Sequence, residues 1–465
     1  MMEYDTIKDE LLAVADSGLK YTKTLNPDAD FEIFIIYENS AQASIDQGVV
    51  TAKDGAVAGN AVRVAIGRRI GFACSSGVSE ERVKLSAREA LDIISSVNVE
   101  DDRFKSFCDP ISPAKESAFD KSILDIGIDE LIKDSAYIAK EAKATDDRIK
   151  YASGGAQTSW GGYAVVNSRG VHSATRYGFS ACQGNVQAIV GEERRESFEF
   201  DVTIDRVYKK EGIGEKAARQ AAGLLGAKKL DATDKMQTIW TPIPAATYIM
   251  ASLGQSILGN PVVEGISPLC DRIGDTIGPA SLSIIDDGQS RTGLGTNAID
   301  GEGIPQKTNP IIEKGVLKSF LFDSYYGGAF GVDSTGNCDR AGGPFGGAVP
   351  YENSPSVSTK WLEVSPGSKA EEDLISDIDG RAILIRDFPI GIFHTNVATG
   401  EFSVVAASAY LVENGEKKYP IQPVSVGGNF YEGFKNLIGI GSNVEPLPFG
   451  IAVPTLVFDG FSVTG

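Results

Sequence analysis

The sequence predicts an α+β protein in which a mixed sheet-and-helix region, near residues 1–230, precedes a large, mostly antiparallel β domain near 231–465. Three observations carry this expectation. Strand-like apolar runs alternate with helical periods in the first half. Helical periodicity all but ends beyond Leu258. The 52 glycines cluster with turn signals, as a turn-rich β architecture requires.

From the N-terminus, Phe31 to Ile36 (FEIFII) reads as a buried strand, and Ala41 to Val50 and Ala61 to Ile66 as two more. Gly67-Arg68-Arg69 marks a turn before a further strand at Ile70 to Cys74. Ser79 then provides a helix N-cap, with Glu80 and Glu81 in the first turn, and Val83, Ala87, Ala90, Leu91 and Ile94 follow at helical spacing. Residues 1–100 thus form a first α+β domain. Asp101 to Asp120 is polar and proline-containing, and reads as a linker. A second helix is expected over Ile128 to Ala142, strands over Tyr163 to Asn167 and Ser173 to Val190 around a Ser168-Arg169-Gly170 turn, and an Ala-rich helix over Glu215 to Leu224. These make a middle domain, 101–230.

Beyond Asp231 one helix is expected, Ala245 to Leu258, opening behind Pro242 and Pro244 and stopped by Gly259-Asn260-Pro261. The remainder reads as β: Leu282 to Ile285 into an Asp286-Asp287-Gly288 turn, a hairpin about Lys314-Gly315, and a hairpin joining Phe402–Val412 to Lys418–Val426 through Asn414-Gly415.

Composition narrows the function. The 63 acidic against 44 basic side chains give a net charge of −19, which repels phosphate backbones, so nucleic-acid binding is not expected. No apolar run approaches the ~18 residues of a membrane span, so no membrane partner is expected. The N-terminus, MMEYDTIKDE, lacks the basic start and apolar core of a secretory signal. The five cysteines are odd in number, scattered, and form no C-x-x-C. They fit free thiols in a reducing, cytoplasmic setting.

Histidine is the decisive scarcity. His172 and His394 are the only two, and neither belongs to an H-E-x-x-H helix, so the chain is not expected to be a zinc enzyme by itself. No G-x-S-x-G elbow and no lysine-containing phosphate loop occur. Ser112-Pro113-Ala114-Lys115 matches S-x-x-K, but its proline resists the helix that motif needs. Gly293-Leu294-Gly295 matches only part of a dinucleotide fingerprint, and no helix follows it. The turns Asp286-Asp287-Gly288 and Asp300-Gly301-Glu302-Gly303 hold oxygen ligands suited to a hard cation, although Asp and Gly commonly serve turns alone.

Read together, several segments resemble the TldD/PmbA family, also called TldD and TldE. They are SLSIIDDG (Ser281 to Gly288), AIDGEGIPQKTNPIIEKGVLKSFLFD (Ala298 to Asp323), STGNCDR (Ser334 to Arg340), AYLVENGE (Ala409 to Glu416), VGGNFYEGFKNLIGIGSNVE (Val426 to Glu445) and PTLVFDGFSVTG (Pro454 to Gly465). Phe31 to Ser96 resembles the family's first domain, and NSRGV (Asn167 to Val171) its middle domain. The resemblance covers essentially the whole chain, and the order and spacing of the segments make it specific.

That resemblance implies a metallopeptidase scaffold. In the catalytic branch, a helix ahead of the Asp-Asp-Gly turn carries H-E-x-x-x-H, and a later Cys completes the zinc site. Here Met250 stands where the first His belongs, Ala251 where the Glu belongs, and Gln255 where the second His belongs. The last cysteine, Cys338, lies too early to be the closing ligand. The resemblance is therefore to the PmbA/TldE branch, with zinc expected only in a TldD-type partner and no cofactor in this chain. It implies a heterodimer that cleaves unfolded peptides, in which this subunit shapes the peptide cleft. The alternative is a homodimeric peptide-binding or regulatory protein of gyrase-modulator type, with no enzymatic activity. Candidate cleft residues are His394 and Asn396 in one Gly-containing loop, and Gly427, Gly428 and Asn429 in another, where exposed backbone would pair with an extended peptide.

Overall fold

A computed structural model describes residues 2–112, 115–116, 118–231, 233–340 and 349–465. The S-x-x-K match therefore falls partly outside the described residues, at Pro113 and Ala114.

The architecture is α+β, as expected. Its first half is one six-stranded antiparallel sheet in the order β3-β2-β1-β4-β5-β6. The strands are β1 (Asp30–Asp46), β2 (Val49–Ile66), β3 (Arg69–Ser76), β4 (Ile149–Asn167), β5 (His172–Val190) and β6 (Glu193–Thr203). β1 pairs with β4 from Glu32↔Asn167 to Asp46↔Ser153, so segments 1–100 and 101–230 contribute three strands each to a shared sheet.

Two sequence expectations are corrected here. The separate strands at 31–36 and 41–50 are one strand, β1, which then turns back at Gln47-Gly48 (φ 49° and 85°) into β2. The polar residues Tyr37 to Ser40 stay extended because β2 and β4 pair with them on both sides. A helix also precedes the sheet, α1 (Ile7–Leu25), which buries Ile7, Leu11, Ala15, Gly18 and Thr22.

The helices cover one face. α1 and α2 (Glu80–Ser96), the latter capped by the Ser79 hydroxyl, pack on Phe31, Ile33, Ile35, Val62 and Val64. Farther along, α3 (Ile128–Thr145) and α4 (Ile213–Gly223) pack on Ala43, Ala156, Cys182 and Ala188. The linker contains no helix or strand among its described residues, yet it is not simply solvated. Phe104 and Phe107 are buried, and the Arg63 guanidinium lies over the Phe107 ring at 5.1 Å.

The second half holds two larger sheets. The first runs β10 (Val316–Leu317), β9 (Thr308–Glu313), β8 (Ile284–Asp287), β13 (Leu362–Val364), β21 (Ile451–Val453), β20 (Glu445–Leu447). The second runs β15 (Glu401–Ala406), β18 (Val424–Asn429), β22 (Leu456–Thr464), β7 (Thr233–Trp240), β14 (Arg381–Ile385), β16 (Ala409–Glu413), β17 (Glu416–Ile421), with β19 (Leu437–Ile440) beside β22. A short pair, β11 (Cys338–Asp339) and β12 (Ser356–Val357), stands apart. Most pairings are antiparallel; β13 with β21 and β14 with β7 are parallel.

Both expected hairpin turns form. Lys314-Gly315 and Asn414-Gly415 have φ of 49°, 79°, 53° and 77°, the left-handed values such tight turns need. The stretch Phe402–Val412 is not one strand, however. β15 pairs with β18, whereas β16 leaves to pair with β14 and β17. All five cysteines are free thiols. No helix among the described residues is long and apolar enough to cross a membrane.

The open face of the first sheet meets the second half at one end. Phe34, Ile36, Tyr163 and Val165 pack against Ile299, Ile304 and Tyr351. Toward the other end, the same face is left to a cleft.

Candidate functional site

The metal-bearing helix expected from the sequence is α5 (Pro242–Ala251). Pro242 occupies its first turn, where a missing N–H costs nothing. Only Ile243 escapes full burial, and a helix apolar on all sides belongs in a core. Tyr248 anchors it among Trp240, Phe402, Phe430, Phe434, Phe458 and Phe461, and its hydroxyl donates to the Phe430 carbonyl at 2.6 Å.

The expected helix to Leu258 does not run through. Ser252 leaves helical geometry (φ −99°, ψ −85°), and its hydroxyl bonds back to the Tyr248 carbonyl at 2.5 Å. A separate single turn, α6 (Leu253–Ser256), follows, held where the Ser256 and Tyr431 hydroxyls meet at 2.5 Å. The Tyr248 carbonyl also keeps the Ser252 amide at 3.1 Å, so the ladder closes there and a new turn starts at Leu253, a break that leaves no mark in the apolar periodicity.

The break distributes the three positions unequally. Met250 and Ala251 are 5% and 3% exposed and both pack in the main core. Ala251 and Gln255 line a cleft of about 420 Å³, together with Phe393, Thr395 and Val397. A buried thioether, a methyl group and one amide do not make a zinc site, which needs thiolate, imidazole or carboxylate donors. Among the described residues no group of three or more His, Cys, Asp or Glu side chains is placed to hold a metal ion.

The loop facing Ala251 and Gln255 contains two of the candidate residues. His394 is exposed in a short 3-10 turn after Gly391 (φ 94°), between the cleft-lining Phe393 and Thr395. Asn396 is committed to the turn: its Oδ1 accepts from the amides of Ala398 and Thr399 at 3.0 and 3.4 Å. Asn429 caps the short helix Phe430–Lys435, accepting from the Tyr431 and Glu432 amides, while its Nδ2 donates to the Thr399 carbonyl at 2.7 Å. The structure thus joins Asn396 and Asn429 through one loop.

Gly427 and Gly428 do not offer the open sheet edge expected of them. β18 lies between β15 and β22, and Gly427 is paired with Ser403 on one side and Ser462 on the other. Gly428 is a packing requirement instead, since a Cβ there would sit 2.6 Å from Cδ1 of Phe461.

The acidic turns are spent on internal bonds. Asp286 is fully buried and accepts from Asn337 Nδ2 (2.6 Å) and the amides of Lys360 (2.8 Å) and Trp361 (3.0 Å). Asp300 accepts from the amides of Glu302, Ile304 and Cys338 at 2.9–3.0 Å. Burial, and then the neighbouring Glu302 charge, push its carboxyl up to about 7. Glu302 accepts from Arg63 (2.8 Å) and from the amide and hydroxyl of Ser324. Arg63 also holds Glu32 with two bonds, 2.9 and 2.7 Å, and Arg340 reaches Glu32 at 2.6 Å. Burial works against the Arg63 charge, but Glu32 and Glu302 outweigh it and hold its pKa well above the ordinary value. This network joins the two halves. Its signal in the sequence was a charged residue inside an apolar strand, Glu32 within FEIFII.

A larger cleft escaped sequence reasoning. Cavities of about 1060 and 580 Å³ share Phe198 and Phe388 and lie between the open face of the first sheet and the 387–390 and 448–449 segments. Its residues come in short runs from β1, β4, β5 and β6 and from distant segments of the second half, a pattern no local motif reports.

Comparison with known proteins agrees with this geometry. Residues 233–465 match the PmbA/TldA metallopeptidase C-terminal domain, and residues 121–225 the central domain. The chain is 25% identical over 440 residues to a metalloprotease PmbA homolog of Haemophilus influenzae, covering 92% of this chain and 89% of that protein. It is 26% identical over 392 residues to metalloprotease PmbA of Escherichia coli O157:H7, covering 81% and 79%. Its fold matches crystalline TldE from Thermococcus kodakarensis with a TM-score of 0.88 at 22% identity, over 97% of this chain and 100% of that one. With its central and C-terminal regions both matched, the chain belongs to the PmbA/TldD metallopeptidase family.

Proposed function

We propose that this chain is the metal-free subunit of a two-component metallopeptidase of the TldD/TldE kind, in which a TldD-type partner carries the zinc and this chain shapes the cleft for unfolded peptide. The observation that carries the reading is the state of α5 and α6. Where the family's catalytic branch has two His and a Glu, this chain turns Met250 into the core, breaks the helix at Ser252, and presents only Ala251 and Gln255 to the cleft. The fold is nevertheless complete around these positions, which supports a role in assembly and substrate handling rather than in bond cleavage.

The chemistry of peptide hydrolysis would come from the partner's zinc. This chain's residues would bind and orient: the 390–400 loop, pinned by Asn429 and by the Phe430 amide to the Gly400 carbonyl at 2.8 Å, forms a firm wall beside Ala251 and Gln255.

The test is zinc content and cleavage of an unfolded peptide by the purified chain, alone and mixed with a TldD-type chain from the same cell. The expected result is no zinc and no cleavage alone, with cleavage above that of the TldD-type chain on mixing. Stoichiometric zinc with chelator-sensitive cleavage by the pure chain overturns the proposal. So does a stable homodimer that leaves the partner's cleavage unchanged, which would favour a self-contained peptide-binding or regulatory protein.

A further inference from the structure

The face of the first sheet that the helices leave uncovered carries an ordered array of polar side chains, uncharged around Gly155 and flanked by Asp46 and Glu196. Strand register aligns them in rows across the sheet. One row runs Gln42–Gln157, and the next Ser44–Gly155–Gln183–Phe200. A third runs Asp46–Ser153–Asn185–Phe198, with a carboxylate at its end. Gln42, Gln157, Gln183 and Asn185 are exposed, and their side-chain amides have no protein partner among the described residues.

Gly155 stands at the centre with no side chain, so the array sinks there into a trough along β4. One wall is aromatic. Phe198 stacks on Phe388 (5.4 Å, 17°), and Phe449 meets both Phe388 and Phe200 edge-on. The cavity of about 580 Å³ fills this space and is lined by no charged side chain, whereas the larger one beside it is lined by Asp46, Arg194, Arg195, Glu196 and Asp387.

We infer that this trough is a binding site for an extended, uncharged stretch of polypeptide, with apolar side chains seated on Phe198 and Phe388. The inference rests on the subunit reading and adds a second peptide contact on the first sheet, apart from the cleft beside Ala251 and Gln255. Side chains on one face of a strand repeat about every 6.8 Å, which is also the two-residue repeat of an extended peptide. Amides spaced in this way can donate to and accept from every second peptide group of a chain lying along β4. A primary amide bonds a peptide group through both its N–H and its oxygen, without the desolvation cost of a charge. The aromatic wall runs alongside, where every second side chain of the bound strand would point. An amide-and-aromatic surface also suits sugars, but a sugar residue is longer than an amino-acid residue, so the repeat of an extended glycan does not match the row spacing and polypeptide is favoured.

The test is fluorescence anisotropy of a short fluorescein-labelled peptide of alternating Phe and Ser, titrated with the full chain. The variants are Gly155→Leu, which fills the trough, and the double variant Gln157→Ala/Gln183→Ala, which removes two exposed amides and leaves the core intact. A Cβ at position 155 meets only the flexible Gln183 side chain at 3.3 Å and the Ala43 carbonyl at 3.8 Å, so the trough is filled without a backbone clash. Lys133→Ala, on the exposed side of α3, is the control. The expected result is binding weakened at least about tenfold by both trough variants and unchanged by Lys133→Ala.

The inference is overturned if the wild-type chain does not bind, if the double variant binds as wild type does, or if Lys133→Ala weakens binding equally. Displacement of the peptide by maltohexaose overturns it in favour of a glycan site. Failure of the subunit reading is separable. Trough-dependent binding without any cleavage on mixing sinks that reading alone, and cleavage on mixing with trough variants that still bind peptide sinks this inference alone.

Discussion

Arg63 and Glu32 face each other across the β1–β2 pair and form a two-bond ion pair, 2.9 and 2.7 Å, that is closed to solvent. Arg63 then reaches Glu302 at 2.8 Å, so one guanidinium ties the first sheet to the second half of the chain. Neither charge could be left alone there, because an unpaired buried ion costs far more than the pair gains.

Arg63→Met should therefore destabilise the fold by about 3–5 kcal/mol, since it leaves the buried Glu302 without a cationic partner and Glu32 with Arg340 alone. Urea unfolding checks this. A loss under about 1 kcal/mol would show that the carboxylates are relieved by protonation or water.

Asp387 gives a signed pH dependence. Burial pushes its carboxyl up to about 6 in the folded chain. An unfolded Asp titrates near ~3.9, so between those values the folded state binds more protons and stability falls as pH rises. The full effect is roughly 2–3 kcal/mol, reached above about pH 6. Asp387→Asn should be more stable than wild type at pH 7.5, with the advantage vanishing by pH 4. Equal stability at both pH values would contradict the raised carboxyl.

Tyr248→Phe should cost about 1–2 kcal/mol by leaving the buried Phe430 carbonyl without its donor. Thermal unfolding of the variant measures it, and an unchanged midpoint would mean the carbonyl finds another partner.

Gly428→Ala should be destabilised by about 1–3 kcal/mol, because the new Cβ meets the Phe461 ring at 2.6 Å. Peptide affinity per folded molecule should not change. A selective loss of affinity at wild-type stability would restore Gly428 as a peptide contact.

Restoring the family's zinc sequence, with Met250→His, Ala251→Glu and Gln255→His together, should not restore metal. Position 250 packs in the core, and the Ser252 break parts it from position 255. Metal analysis after dialysis against zinc decides this, and one zinc per chain would mean that α5 and α6 straighten on binding.

The sequence by itself determined the α+β class, the Ser79 cap, the Asn414-Gly415 and Lys314-Gly315 hairpins, and the family resemblance, because caps, tight turns and family segments are local in the chain. It also showed that α5 lacks His. It did not show that α5 ends at Ser252, since a serine bonding back to Tyr248 looks like any polar residue in a helical period. Only the tertiary structure decided that Gly427 is paired on both sides, that Gly428 makes room for Phe461, and that Glu32, Arg63, Glu302 and Arg340 form one network. The amide rows around Gly155 were equally hidden. They exist only once register sets Gln42 beside Gln157, and Gly155 beside Gln183, and register is fixed by which face of each strand the helices bury.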